Sequence, residues 1–429
     1  MKSLIGFLVV GVVSSVSLPV PGDTNPDAGI SPAVASWRNT VASTFVPNKG
    51  CFEVSLPDTT WREVSCITST SVTPTRVSPT NQKTSPMSGL SSSSGSSSFS
   101  PAAVGGNTGD FVLAVLHPTD LLTSVMGSFP KPGYDWVSHM GTLYPDNRYV
   151  DSAYSLQMNT NFFSTDACKG SSNPGCFAWQ QFIYSGTFYK CFYMEYWLIG
   201  YGATCPDDSW WQSYGNCVKD SERKYIGAQP LYTLPDMKMY ADARGLMTVE
   251  CLTFFYGSNA STLCVDSVLG LGKQWQMAEY NIYGDIDNSE AVFYPGSGLT
   301  VGVQAQTVLP SGIDSSSYTM ISGSGNTAEW NNLTLDGDPC FDPSTNNFWF
   351  HETYYGPGRP PCPQNAAGIK CGSNANCQSG SCVNGVCAAV THVPAVPPIG
   401  GSALAIGLAL IGGILAARHR TKRRPIPGT

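Results

Sequence analysis

Histidine is nearly absent from this chain, with five in 429 residues. Two of them, His392 and His419, fall near the C-terminal end. His117, His139 and His351 show no H-x-H or H-x-x-x-H spacing, and no G-x-S-x-G elbow or C-x-x-C pair is present. The sequence therefore offers no local metal-ligand set and no local serine-triad signature. Charge is scarce too: 12% of residues are charged, about half the ~25% of an average soluble protein. The formal charge is −7, and Arg418, Arg420, Lys422, Arg423 and Arg424 sit together near the end, so the middle of the chain is more acidic still. That balance excludes a nucleic-acid partner. Helical periodicity is also missing between residues 104 and 355, which argues against a helical bundle.

What is plentiful is glycine (44), proline (31), aromatic residues (11%) and cysteine (15). Lys2 followed by the apolar run Leu4–Val13 reads as a secretory signal over 1–17, cleaved between Ser15 and Gly22. Residues 18–66 form a short segment with one expected disulfide loop, a propeptide or a plain linker-bound extension. Residues 67–103 are dominated by Ser, Thr and Pro and read as a linker. A β domain is expected over 104–355 and a Cys/Pro-rich stalk over 356–398. The nineteen uncharged residues of 399–417 are long enough for a membrane helix, and the basic tail 418–429 follows it. The same layout fits a cell-wall sorting signal. Either way the bulk of the chain is expected outside the cytoplasm or at the cell surface.

Cysteine spacing agrees, because disulfides persist in oxidising surroundings. Close pairs are Cys51/Cys66, Cys168/Cys176, Cys205/Cys217, Cys251/Cys264 and Cys340/Cys362, with a cluster at Cys371, Cys377, Cys382 and Cys387. Zinc is the competing reading of the cluster, but no metal or other cofactor is expected. Cys191 is left over and reads as a buried thiol.

Within 104–355 the recurrent pattern is alternation. In Tyr154–Phe162 one face carries Tyr154, Leu156, Met158 and Phe162, the other Ser155, Gln157, Asn159 and Asn161. In Cys191–Ile199, Phe192, Met194, Tyr196 and Leu198 oppose Tyr193, Glu195 and Trp197. In Trp275–Tyr283, Ala278, Tyr280 and Ile282 oppose Trp275, Glu279 and Asn281. Leu299–Val308 and Phe348–Tyr355 also read as strands. These patterns predict an all-β fold, an antiparallel β-sandwich. If one sheet curves, Gln157, Glu279, Tyr193, Glu195, Trp197 and Trp275 line a groove suited to an extended polymer, peptide or glycan.

Four segments, in order, resemble the glutamic peptidases of the eqolisin type. Gly109-Asp110-Phe111-Val112-Leu113 with Val125-Met126-Gly127-Ser128-Phe129-Pro130 is similar to their opening strand and turn. Tyr154-Ser155-Leu156-Gln157 is similar to the strand bearing their catalytic glutamine, with Asn159 and Asn161 where they carry G-x-D. Tyr193-Met194-Glu195-Tyr196-Trp197 echoes their W-Y-E-W, and Ala278-Glu279-Tyr280 the stretch bearing their catalytic glutamate. The resemblance covers about 104–310 and implies a lectin-like jelly roll. It further implies a cofactor-free acid endopeptidase using Gln157 and Glu279, with Tyr193, Glu195, Trp197 and Trp275 along the substrate. Trp179-Gln180-Gln181-Phe182, with the segments starting at Tyr154 and Ala278, also resembles motifs of secreted microbial proteins. Two other readings stay open. One is a non-catalytic surface module binding glycans through Trp210-Trp211-Gln212-Ser213-Tyr214. The other is a glycosidase using Glu195 and Glu279, whose outcome would follow from their separation.

Overall fold

The alternating segments form two large antiparallel sheets packed face to face in the computed structural model. It describes residues 30–44, 49–68, 111–115, 119–130, 139–243, 248–307, 318–322, 329–342 and 347–354, apart from 287 and 338, with 137 and a short ladder of 382–383 against 386–387. The expected signal 1–17, the apolar run 399–417, the tail 418–429 and most of the linker 67–103 and stalk 356–398 lie outside the described residues. No helix among the described residues is long and apolar enough to cross a membrane.

The first sheet runs β2 (Arg62–Val64), β1 (Gly50–Ser55), β15 (Asn259–Asp266), β14 (Val249–Tyr256), β13 (Lys238–Asp242), β4 (Leu122–Ser128), β18 (Gly298–Thr307), β23 (Asn347–Thr353) and β21 (Thr334–Leu335). β22 (Cys340–Asp342) also pairs with β23. The second runs β10 (Trp211–Ser213), β11 (Asn216–Asp220), β9 (Cys191–Ile199), β8 (Phe177–Ser185), β7 (Ser155–Thr160), β16 (Met277–Tyr283), β3 (Phe111–Val115) and β19 (Tyr318–Ser322), with β12 (Lys224–Tyr225) on β9. A small sheet joins β20 (Trp330–Asn331), β17 (Glu290–Phe293), β5 (Met140–Leu143) and β6 (Tyr149–Asp151). This is the expected all-β sandwich. Among the described residues the one parallel pairing is β17 with β20, in the small sheet.

The core lies between the two large sheets and follows the alternation. Leu156 and Met158 of β7, Phe182 and Tyr184 of β8, and Phe192, Met194, Tyr196 and Leu198 of β9 point inward. They meet Leu252 and Phe254 of β14 and Val301 and Val303 of β18. Tyr184 and Phe192 pack on Phe254 with ring centroids 4.8 and 6.0 Å apart. Phe162 departs from the expected stripe. It lies past the end of β7, where the alternation stops, and packs with Phe177 and Trp179 on the other face.

The turn-like segment around Gly127 has a packing cause. A Cβ there would lie 2.2 Å from the ring of Tyr280, which reaches across from the second sheet. The backbone of β4 thus needs a residue without a side chain for the sheets to approach this closely. Gly127→Ala is expected to destabilise the fold by about 1–3 kcal/mol through overpacking, read as a lowered melting temperature.

Among the described residues four disulfides form as the spacing suggested, Cys51–Cys66, Cys168–Cys176, Cys205–Cys217 and Cys251–Cys264, while Cys362, the expected partner of Cys340, lies outside the described residues. They suit an oxidising, extracytoplasmic environment. Cys191 is a buried free thiol, and burial pushes its pKa up to about 12, so it is poorly suited to nucleophilic chemistry.

The N-terminal segment is built into the sandwich. β1 extends the first sheet by pairing along six residues of β15, and helix α1 (Pro32–Thr44) packs Trp37 and Val41 on Val54, Phe255 and Ala260. Arg38 is buried and donates from Nη2 to the carbonyls of Asp236 and Gly257 at 2.7 and 2.6 Å. Ile67 then exchanges two backbone hydrogen bonds with Arg223, at 2.8 and 2.9 Å, beside the second sheet.

Candidate active site

The outer face of the second sheet carries a row of polar side chains directly opposite one another across five strands. Glu279 of β16 pairs with Asn159 of β7, Asn159 with Gln181 of β8, Gln181 with Glu195 of β9, and Glu195 with Asp220 of β11. The row exists because each strand alternates apolar-in and polar-out and the registers bring the polar positions level. The neighbouring row holds Asn281 opposite Gln157, Gln157 opposite Ile183, and Ile183 opposite Tyr193. On the other side Trp179 lies opposite Trp197 and Trp197 opposite Val218. The polar row is thus bordered by indoles on one side and by Ile183 and Tyr193 on the other.

These polar groups are buried. Glu279, Asn159 and Asn281 have no exposed surface, and Gln157, Gln181 and Glu195 show 3% or less. Glu279, Asn159, Gln181 and Gln157 compensate burial with hydrogen bonds among themselves, as buried polar groups must, while Asn281 donates from Nδ2 to both carboxylate oxygens of Glu352 on β23, at 3.0 and 3.1 Å. Asn159 donates from Nδ2 to Glu279 Oε2 at 2.9 Å. Gln181 donates from Nε2 to Asn159 Oδ1 at 2.9 Å and to Gln157 Oε1 at 3.0 Å. Gln157 donates from Nε2 to Ser155 Oγ at 3.0 Å, and Ser155 Oγ donates to the Gly284 carbonyl at 2.7 Å. Gln157 and Glu279 are diagonal neighbours on adjacent strands, a separation of roughly 7–8 Å at the backbone.

Of the six residues singled out in the sequence, Gln157, Glu279, Tyr193, Glu195 and Trp197 share this face. Glu195 accepts a hydrogen bond at Oε1 from Trp197 Nε1 at 2.7 Å. Trp275 is a correction. It precedes β16 instead of continuing its alternation, turns into the sandwich core, packs near Phe182 at 5.9 Å between centroids, and donates from Nε1 to the Met277 carbonyl. It does not line the groove. The aromatic run 210–214 also differs from an exposed platform. Trp210 is buried and Trp211 packs near Trp179 and Trp197, leaving Tyr214 as the well-exposed ring. Glu195 and Glu279 stand three strands apart, roughly 14 Å at the backbone. Asn159 and Gln181 lie between them, a poor geometry for two carboxylates flanking one glycosidic bond.

Two members of the network, Asn159 and Gln181, were not candidates from the sequence. The signal available was the polar parity of their strands, and Gln181 belongs to the Trp179-Gln180-Gln181-Phe182 motif. Among the described residues no group of three His, Cys, Asp or Glu side chains is placed to hold a metal ion.

No family model matches the chain, and no curated protein matches it. Among solved structures it is similar to scytalido-glutamic peptidase bound to a peptide-based transition-state analogue. The identity is 13% and the TM-score 0.22, over 59% of this chain and 97% of that one. It is also similar to SCP-B, a member of the Eqolisin family of peptidases in complex with the tripeptide Ala-Ile-His. There the identity is 13% and the TM-score 0.21, over 59% of this chain and 96% of that one. A likeness at this level assigns no residue.

Proposed function

We propose that the protein is a secreted or surface-held acid endopeptidase that hydrolyses extended peptides with Gln157 and Glu279. The observation that carries this reading is the shared buried face. A carboxylate and an amide sit as diagonal neighbours on adjacent strands, joined through Asn159 and Gln181 in one hydrogen-bonded network.

In the proposed reaction Glu279 takes a proton from that water as it attacks the scissile carbonyl carbon. The second N–H of Gln157 Nε2, the one not donated to Ser155, serves as donor to the oxygen that becomes negative. Collapse of the tetrahedral species breaks the C–N bond, and Glu279 returns the proton to the leaving amine. The indole pair Trp179 and Trp197 and the ring of Tyr193 would flank the peptide, with Glu195 beside Trp197. No step needs a metal or cofactor. The test is acid proteolysis of an unstructured protein by the purified chain and by its Gln157→Ala and Glu279→Gln variants. Unchanged cleavage in both variants overturns the reading. Glycan binding without cleavage, read on a glycan array, would favour the non-catalytic module instead.

A further inference from the structure

The network around Gln157 has only one consistent arrangement of its amides, and its origin is a residue outside the proposed pair. The Gly284 carbonyl can only accept, so Ser155 must donate to it. Ser155 Oγ is then the acceptor for Gln157, which turns the Gln157 amide nitrogen toward Ser155 and its oxygen toward Gln181. Gln181 Nε2, donating to Gln157, donates also to Asn159 Oδ1, so Asn159 presents its nitrogen to Glu279 Oε2. Both chains of donors therefore start at one atom, Gln181 Nε2, whose two hydrogens are both used.

Gln181 is itself held from both faces of β8. Trp179 Nε1 donates to the Thr160 carbonyl at 3.0 Å, and Thr160 Oγ1 accepts from the Gln180 backbone N–H at 3.1 Å. On the inner face Gln180 Nε2 donates to Glu250 Oε2 at 2.7 Å, tying β8 to β14 of the opposite sheet. Trp179 and Gln180 thus tie β8 to β7 and to β14 and leave the Gln181 amide to orient the site.

We infer that Gln181 is a positioning residue, fixing the amide orientation of Gln157 and, through Asn159, the carboxylate of Glu279. The inference rests on the proposed peptidase reading for its kinetic consequence, but not for its structural one. With Gln181→Leu the Gln157 and Asn159 amides lose the donor that sets their orientation. Proteolysis should then fall by about 100-fold, the scale of a misplaced catalytic group. The loss should lie in kcat, with KM changed by less than about threefold, because the groove walls are untouched. Gln181→Glu should recover activity only toward acid pH, where a protonated carboxyl regains one donor hydrogen.

The structural arm uses the full chain labelled with 15N at Gln and Asn side chains. Exchange of the Gln157 and Asn159 amide hydrogens should be at least about tenfold faster in Gln181→Leu than in wild type, as expected when a buried hydrogen bond is lost. Unchanged exchange at both residues, or unchanged kcat where the wild type is active, overturns the inference. If the wild type cleaves nothing, the peptidase reading fails and the exchange rates alone decide the role of Gln181.

Discussion

Glu279→Gln is expected to lower kcat/KM for acid proteolysis by about 10²- to 10⁴-fold, the usual contribution of a general base, without unfolding the protein. The substitution keeps the shape of the side chain, and the glutamine oxygen can still accept from Asn159 Nδ2, so the network survives. What is lost is the capacity to take and return a proton. Gln157→Ala removes the oxyanion donor and should cost about 10²- to 10³-fold. Because the two groups act in one step, the double variant should be little worse than Glu279→Gln alone. A double loss equal to the product of the single losses would mean that the two residues act independently, against the proposed dyad.

The second large effect concerns stability. Glu250 is fully buried between the sheets, where Gln180 Nε2, Ser267 Oγ at 2.5 Å and the Leu271 backbone N–H donate to it. Tyr196 of β9 faces it from the opposite sheet. Three donors favour the ionised form, but burial outweighs them and raises its pKa above the ordinary 4.5. The folded state then holds this proton more tightly than the unfolded state. Its contribution is fully present below about 4.5 and is lost as pH rises through the folded value. Glu290, half-buried and also raised, acts in the same direction, whereas Glu53, pushed up by burial but brought below its ordinary value by Lys224 and Arg62 together, acts in the opposite one. Thermal melts should therefore show Glu250→Gln gaining on the wild type as pH rises from about 4.5, with the two converging in acid. The neutral amide can use Ser267 and a flipped Gln180 as partners, so the variant should fold. A constant difference across the pH range would contradict the assignment. An acid-favoured fold also suits a protein proposed to work in acid.

The β-sandwich was legible because alternation is a local property. Phe192, Met194, Tyr196 and Leu198 point inward and Tyr193, Glu195 and Trp197 outward, as their parity requires. Cysteine spacing was legible for the same reason, since each confirmed bridge closes a loop of 8 to 15 residues. Trp275 was misplaced because parity holds only inside a strand, and β16 begins at Met277, after the short turn Leu271–Lys273. Asn159 and Gln181 were hidden for another reason. A polar face reads as solvated, and only the cross-strand registers reveal that these amides are buried and level with Glu279. The docking of α1 depends on Arg38 meeting carbonyls 198 and 219 residues away, a contact no local pattern encodes.

The most direct measurement is a pH-scanned digestion of an unstructured protein by the purified wild-type chain, with products identified by mass. The account predicts cleavage inside the substrate chain at acid pH, insensitive to chelators and lost in Glu279→Gln. Intact substrate at every pH, or cleavage that Glu279→Gln leaves in place, would contradict it.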